Sequence, residues 1–263
     1  MRAFPIQTEL GEIPVKWCNA DAVTSSVMEA VSFVTPVLEN FFIRSVAEGM
    51  RVHSNEVALV ERCREFLHEE ANHSRIHKKF NRQLLSRLNK QPPGLRMIGG
   101  LLDLAKNHLS LASRLALAAA LEHFTAVISK VYLNHESDLQ FQSAYAKELF
   151  DWHAREELDH RSVVFDLWQA QGASGRLSRF VAVLVIFGVG GLYLALAVPW
   201  ILHKKSDHKI SKTLGAICGF VKKNTRDALR YTPVVDLFSF ARRDFHPEFL
   251  VNDQQTASAH HKV

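Results

Sequence analysis

Apolar residues recur every three or four positions through most of the first 171 residues, which is the period of an amphipathic α-helix. Asp21 is a suitable capping residue for the first helix, and Pro36 either kinks that helix or marks its real start. Gln91-Pro92-Pro93-Gly94 breaks the pattern and ends the second helix. The pattern therefore predicts an all-α fold, with helices over about 21–50, 55–88, 95–108, 109–133 and 138–171.

Carboxylates and imidazoles interrupt the apolar pattern of two of these helices at a helical spacing. Residues three and four apart on a helix share a face, so each set forms one stripe along its helix. Such stripes on two helices are what a dinuclear metal site in a helical bundle requires. The stripes are Glu70, His73 and His77 in the second helix and His153, Glu157 and His160 in the last.

The Glu-x-x-His spacing within these stripes is weak evidence by itself, because the chain contains a third example. Glu65 and His68 form that pair, but they lie about 140° around the second helix from Glu70, so we expect them on the solvated surface. Two lone acids are more informative. Glu39 and Glu122 each lie in an apolar segment, where a carboxylate is rarely buried unless it is paired or binds a metal.

The order of these residues along the chain matches one known architecture. A ferritin-like four-helix bundle with a dinuclear metal site takes one Glu from each of two helices and a Glu-x-x-His pair from each of the other two, with one long crossover. The alternative is a set of structural polar clusters in which the acids and imidazoles satisfy one another. The chain offers, in order, Glu39, Glu70 with His73, Glu122, and Glu157 with His160.

The charge of the chain is unevenly distributed. Residues 1–171 hold 19 Lys and Arg against 21 Asp and Glu, whereas residues 172–263 hold 13 against 6. The basic residues of that last third flank apolar segments and form no recognisable nucleic-acid-binding motif, so we expect a membrane surface and no nucleic acid as partner. The three scattered cysteines form neither a disulfide framework nor a metal-binding spacing, and the N-terminus has no apolar signal segment, which favours the cytoplasm.

A run of 23 residues without a charge, Phe180–Leu202, follows the predicted bundle. About 20 apolar residues suffice to cross a bilayer, and Trp200 lies where an interfacial aromatic residue is expected. Two other interpretations stay open. Gly188-Val189-Gly190-Gly191 can break the run into two short helices that dip into one leaflet, or the run is a buried helix of a homodimer.

Residues 208–231 are basic and amphipathic, as expected of a helix that lies on an anionic membrane surface. We therefore divide the chain into a metal-binding bundle over residues 1–175 and a membrane-associated region over residues 176–263. The bundle is expected on the cytoplasmic side of the inner membrane, and residues 251–263 are expected to form a loose tail.

Four blocks of sequence and a short C-terminal one carry a family resemblance. They are Glu39-Asn40-Phe41-Phe42, Phe66-Leu67-His68-Glu69-Glu70-Ala71-Asn72-His73-Ser74-Arg75-Ile76-His77, Leu121-Glu122-His123-Phe124-Thr125-Ala126, Trp152-His153-Ala154-Arg155-Glu156-Glu157-Leu158-Asp159-His160 and Phe245-His246-Pro247. In this order they resemble the bacterial ferritin-like family labelled "predicted metal-dependent hydrolase", with Leu38 where that family usually has Gly. The resemblance implies a metal-binding bundle with these ligands: Glu39, Glu70, His73, Glu122, Glu157 and His160, and His77 and His153 as further candidates.

Four carboxylates with several imidazoles suit two divalent ions, iron first, with manganese or zinc as alternatives. With redox-active iron the protein would be an O2-dependent oxidase or oxygenase, which is our first expectation. With redox-silent ions it would be a metal-dependent hydrolase that uses an activated water, and a non-enzymatic metal-binding protein is a third alternative. The substrate is expected to be a lipophilic small molecule, because the apolar run places the bundle at the bilayer. The carboxylates expected to carry the chemistry are Glu39, Glu70, Glu122 and Glu157.

Overall fold

The computed structural model describes residues 6–134, 139–172, 175–205, 215 and 233–250. Within these ranges the chain is helical and has no β-strand, which confirms the all-α prediction. The predicted amphipathic segment 208–231, apart from Gly215, and the tail 251–263 lie outside the described residues. The helices are α1 (Ala22–Val52), α2 (Val57–Leu88), α3 (Leu95–His108), α4 (Leu111–Asn134), α5 (Ala144–Asp159), α6 (Val163–Ala170), α7 (Arg176–Lys205) and α8 (Pro233–Ser239), followed by a 3-10 helix at Pro247–Phe249.

The first four helices begin and end close to their predicted positions. Asp21 caps α1, since its carboxylate accepts a hydrogen bond from the Thr24 N–H at 2.6 Å. Pro36 lies inside α1, so the interpretation that Pro36 marks the start of the helix is wrong. α2 ends at Asn89, which adopts a left-handed conformation with a φ of 62°, and α3 connects α2 to α4.

The predicted single helix over 138–171 is two helices in the structure, α5 and α6, separated by residues 160–162. This turn contains neither Pro nor Gly. We infer that contacts with another helix stabilise it. Arg62 of α2 donates to the Ser162 hydroxyl at 2.7 Å and to the Asp166 carboxylate at 2.6 Å. The prediction of one continuous helix is therefore wrong.

Two large apolar clusters and a smaller one around Val127 and Leu158 fill the interior between the described helices. One of the large clusters surrounds Trp17, Phe80 and Phe150, and the other large cluster surrounds Phe66 and Leu115. α1 and α2 pack most extensively on each other and contribute to both large clusters, while α4 packs on α1, α5 and α6. The segments of α1 and α2 that lie between the two large clusters carry the predicted metal ligands of those helices.

α7 is a continuous helix through its glycines, so the interpretation of two short helices is wrong. One face of α7 packs on α1 and α4, which supports the helix along its length. The Tyr193 hydroxyl donates to the Ala30 carbonyl of α1 at 2.8 Å, and Lys205 at the end of α7 lies 2.7 Å from a carboxylate oxygen of Glu29. α7 is therefore fastened to the helices that carry the site.

Three of the described helices, α1, α4 and α7, are long and apolar enough to cross a membrane by length and composition. In the most apolar 18-residue windows of α1 and α4, 50% and 61% of the residues are buried inside the protein, against 33% in α7. α7 differs from the other two because most of its apolar window faces outward.

Candidate metal centre

The structure brings the eight predicted site residues together between the two large apolar clusters. α1 supplies Glu39, α2 supplies the first stripe, α4 supplies Glu122, and α5 supplies the second stripe up to His160, which directly follows its last residue. Seven of these side chains are buried, and His153 is partly exposed. The pair Glu65 and His68 is exposed, as predicted from its position on the opposite side of α2.

Two groups of side-chain atoms are placed to hold cations. In each group, one nitrogen or oxygen atom per residue lies within 4.8 Å of every other. His73 belongs to both groups, so the two are adjacent, and neither group includes Glu122 or His77. The first group is Glu70, His73, Glu157 and His160, and the second is Glu39, His73 and His153.

Many of the buried ligand atoms have no hydrogen-bond partner among the described residues. The atoms without a partner include both carboxylate oxygens of Glu39 and of Glu70, Nδ1 of His73 and Nε2 of His160. Buried polar atoms are usually paired, and a buried carboxylate without a donor or a nearby cation is strongly destabilising. The donor set therefore fits divalent metal ions, which would satisfy these atoms together.

Burial and mutual repulsion raise the pKa values of Glu39 and Glu70, whereas the hydrogen bond with His153 lowers the pKa of Glu157 to about 2 despite its burial. Burial, with the charges of Glu70 and Glu157, raises the pKa of Glu39 well above its usual range. Burial and the charge of Glu157 raise the pKa of Glu70 to about 8. Carboxylates with raised pKa values near one another are a site at which a cation replaces protons when it binds.

Glu122 contacts the centre through His160. The two side chains share a hydrogen bond of 2.8 Å between Glu122 Oε1 and His160 Nδ1, while His160 Nε2 lies 3.6 Å from Glu70 Oε1. Burial opposes a charge on His160, but the hydrogen bond and the nearby carboxylates outweigh it and raise the pKa of His160 to about 10. Glu122 thus orients an imidazole, and its Oε2 has no hydrogen-bond partner in the described part of the chain.

His77 forms a hydrogen bond with the ring nitrogen of His153 that does not face Glu157. Asn81 donates from Nδ2 to the Ser32 carbonyl at 2.7 Å, so its Oδ1 accepts the Ser32 hydroxyl proton at 2.7 Å. Burial lowers the pKa of His77 well below its usual range, so the His77 ring is neutral and has one N–H proton. Because the Ser32 hydroxyl already donates to Asn81, the proton is on His77 Nδ1, which donates to Ser32 Oγ at 2.8 Å. His77 Nε2 then accepts a hydrogen bond from His153 Nδ1 at 2.8 Å. A neutral His153 then turns an unprotonated Nε2 toward Glu157 Oε1, 2.8 Å away. A proton or a bound cation is needed between two such acceptors.

Glu156 is a site residue that the stripe pattern does not reveal. Its Oε2 lies 3.0 Å from His73 Nε2, across the gap between α5 and α2. A proton on Nε2 leaves Nδ1 of His73 unprotonated, 3.5 Å from Glu70 Oε1 and 3.9 Å from Glu157 Oε1. Burial opposes the charge on Glu156, yet the hydrogen bond from His73 lowers its pKa. Carboxylates commonly fix ligand imidazoles in this way at metal sites.

Thr125 and two aromatic residues complete the surroundings. Thr125 Oγ1 lies 2.6 Å from Glu157 Oε2 and 2.9 Å from the Glu122 carbonyl oxygen. The Phe66 ring packs edge-on against His160 at 5.0 Å, and the Trp152 ring packs edge-on against His73 at 4.7 Å. Aromatic rings therefore pack against two of the imidazoles of the centre.

Comparison with known proteins gives one match. A family model described as "Predicted metal-dependent hydrolase" matches residues 2–249, which include all the residues of the candidate centre. No curated protein and no solved structure matches the chain.

Proposed function

The chain belongs to the family of predicted metal-dependent hydrolases, and we propose that it is a hydrolase whose buried carboxylate–imidazole centre binds divalent metal ions. The observation that carries this proposal is the pair of adjacent ligand groups that share His73, with most of their donor atoms unpartnered. Divalent ions held there would lower the pKa of a bound water and polarise the bond to be cleaved.

The protein's own side chains hold the proposed centre in a fixed arrangement. Glu156 keeps the proton of His73 on Nε2, and Glu122 fixes the ring of His160, so that each imidazole presents its other nitrogen to the carboxylates. Thr125 supports the Glu157 carboxylate. Ligands whose orientation is set by such contacts lose little freedom when the metal binds.

We propose that a substrate reaches the centre from the gap between α2 and α5. Trp152, His153 and Glu156 are its partly exposed members, whereas the ligands behind them are buried. We propose a lipophilic small molecule as the substrate, because an indole ring borders this opening and apolar clusters adjoin the centre on both sides.

We also propose that α1, α2, α4 and α5 form a ferritin-like bundle. Its support is the distribution of donors: a lone Glu on α1 and on α4, a Glu-x-x-His pair on α2 and another at the end of α5, and α3 in the long connection between the two halves. The break after α5 is a local departure from four uninterrupted helices.

The test is metal content and hydrolysis measured on the same preparations. We expect purified protein loaded with manganese or zinc to cleave esters or phosphoesters without oxygen, and Glu70→Ala to lose both bound metal and activity. Glu65→Ala, on the exposed side of the same helix, is the matched control and should retain both. A wild-type protein that binds no divalent metal would contradict the proposal, as would equal activity in the two variants.

A second candidate function is the O2-dependent oxidation of a lipophilic molecule by a di-iron centre. The specific observation in its favour is the excess of carboxylate oxygen, since four buried glutamates lie at the site, as in the di-iron carboxylate centres of helical bundles. Mixing Fe(II)-loaded protein with O2 distinguishes the two functions. Rapid O2 consumption that is absent from Glu122→Ala would favour oxidation, whereas hydrolysis with no O2 consumption would exclude it.

A further inference from the structure

The outward face of α7 is an apolar surface, and among the described residues its rings are contacted by Phe124 of α4 and Phe238 of α8, at Phe180 and Phe187. The face runs about 30 Å from Leu177 to Leu196 at 1.5 Å per residue. Arg179, the one charged residue between these two ends, is buried with its guanidinium group over the Trp168 ring, so it does not lie on the face. The buried Tyr193 hydroxyl also points away from the face. Side chains along the face are close to half exposed, for example Leu184 at 48% and Leu192 at 49%. An exposed apolar patch of this length marks an interaction site.

Aromatic side chains extend this surface beside the first half of α7. Phe238 of α8 stacks on Phe187 at 5.6 Å and lies 6.4 Å from the Phe180 ring. All three rings are more than a third exposed, and Val235 beside them is 65% exposed. Exposed apolar and aromatic groups along one side of a helix suit a lipid interface.

Basic residues stand at both ends of the face. Arg176, at the start of α7, lies 3.5 Å from the Ala241 carbonyl, which brings the exposed Arg242 and Arg243 to that end. Asp244 pairs with Arg242 at 3.3 Å, so the net positive charge there comes from Arg176 and Arg243. Lys204, at the other end, lies over the Trp200 ring at 5.9 Å. Anionic lipid headgroups complement positive charge at both ends of an apolar helix.

We propose that this face, which we call the α7 face, docks the protein on an anionic membrane surface with α7 parallel to the bilayer. The α7 face covers Leu177–Leu196 of α7 and the adjoining Phe238 of α8. The proposal is independent of the metal chemistry, because the face lies on the side of α7 away from the bundle.

The contacts of the opposite side favour lying on the membrane over crossing it. Lys205 and Arg87 both pair with Glu29, at 2.7 and 2.6 Å, in a buried ion cluster at the end of α7. Separating α7 from the bundle would leave these charges unpaired, which is strongly destabilising. Taking the bundle into the bilayer with α7 would bury the exposed charged residues of α2, such as Arg64 and Glu65.

A second copy of the chain is a poorer occupant of the α7 face. In a two-fold pairing of α7 with itself, parallel helices bring Arg176 near its own counterpart, and antiparallel helices bring Arg176 near Lys204. Either direction places like charges together, which opposes association. Anionic lipid meets the same charges with the opposite sign.

The experiment is flotation of the full chain with vesicles of phosphatidylcholine, with and without phosphatidylglycerol. We expect binding to the anionic vesicles, weakened more than roughly tenfold by Leu184→Glu combined with Leu192→Glu. Val52→Glu combined with Val57→Glu changes two residues that are also exposed, away from the α7 face, and should bind like the wild type. Lys204→Gln should weaken binding to the anionic vesicles alone, by about fivefold.

Three outcomes would overturn the proposal. The first is a wild-type protein that binds neither kind of vesicle, and the second is an equal loss of vesicle binding in the two double variants. The third is a dimer, detected by sedimentation, that dissociates only when Leu184 and Leu192 are changed. The last outcome would assign the α7 face to a second copy of the chain. Circular dichroism and bound metal should match the wild type in every variant, since each substituted side chain is exposed, so lost vesicle binding is distinguishable from misfolding and from failure of the metal centre.

Discussion

The position of one proton on His73 decides which of its nitrogens faces the candidate centre. Glu156 accepts from Nε2, so Nδ1 is left with a lone pair directed at the carboxylates of Glu70 and Glu157. Without Glu156 the His73 imidazole can carry its proton on either nitrogen. In the tautomer with the proton on Nδ1, that nitrogen has no lone pair to bind a metal.

We therefore predict that Glu156→Ala weakens metal binding by about 10- to 100-fold. Titration with manganese or zinc, monitored by calorimetry, measures the effect. Glu65→Ala removes a carboxylate from an exposed position on α2 and should leave the affinity unchanged. An affinity in Glu156→Ala equal to that of the wild type would show that His73 is oriented by other contacts.

Ser32 gives a second prediction at this scale, because its hydroxyl joins His77 to Asn81 in a buried position. Ser32→Ala leaves two buried polar groups without a partner and should lower the free energy of unfolding by about 1–3 kcal/mol. Ser26 is equally buried on α1, but its hydroxyl bonds only to the Ala22 carbonyl of the same helix. Ser26→Ala should therefore have a much smaller effect in the same urea titration, and equal effects would contradict this account.

The cysteines give a third prediction at this scale, one that depends on pH. Burial raises the pKa of the Cys18 and Cys63 thiols to about 11. Both should resist iodoacetamide at pH 8 in the folded protein and react once it is unfolded, as site-resolved mass spectrometry can measure. Because the unfolded state loses these protons first, their contribution to stability is complete below the ordinary thiol pKa and is lost as the pH rises toward 11. Rapid labelling at pH 8 without unfolding would contradict the prediction.

The sequence was sufficient to find the residues that line one helix at a regular spacing. Glu70, His73, Glu157 and His160 share stripes and could be predicted from periodicity alone, and the structure places them in one group. Residues that act across the gap between helices could not. Glu156 lies about 100° around α5 from Glu157, and its partner on α2 is set by how the two helices pack.

At the scale of elements, the helices were predictable because their ends carry strong local signals. Asp21 at the start of α1 and the Pro-Pro-Gly segment after α2 are such signals, and both mark real helix ends. The turn between α5 and α6 has none. It depends on Arg62, which is a hundred residues earlier in the chain and reaches this turn only in the folded protein.

Replacing Arg62 should therefore loosen the start of α6. We predict that Arg62→Ala lowers the free energy of unfolding by about 1–2 kcal/mol, a modest value because the guanidinium group is partly exposed. Arg64→Ala breaks an ion pair with Glu61 that is exposed on both sides and should change stability by less than about 0.5 kcal/mol. Urea denaturation compares the two variants, and a larger loss in Arg64→Ala would contradict the assignment.

At the scale of the whole molecule, one carboxylate joins the C-terminal end of α7 to the rest of the protein. Glu29 accepts from the Trp17 indole at 2.9 Å and pairs with Arg87 and Lys205, so it joins the N-terminal segment, α1, α2 and α7. Glu29→Ala leaves a buried cation without its partner and should cost about 3–5 kcal/mol.

Lys205→Met is the informative comparison for that prediction. It removes the buried cation and keeps the aliphatic bulk, while Glu29 retains Arg87 and Trp17 as partners. The loss in free energy of unfolding should therefore be clearly smaller than in Glu29→Ala. If Lys205→Met lowered the free energy of unfolding as much as Glu29→Ala, the Lys205 ammonium group would be the main contact that holds α7 to the bundle.

The same cluster bears on the order in which the chain is synthesised. Glu29 leaves the ribosome early, in the first helix, whereas Lys205 follows only after every helix that supplies a candidate metal ligand. Until then the surface of α1 around Ala30, which α7 covers in the finished protein, is open to water. The helices that supply the candidate ligands are thus all synthesised before α7 can complete the core. A metal ion can therefore reach the site of the nascent chain while that site is still able to open.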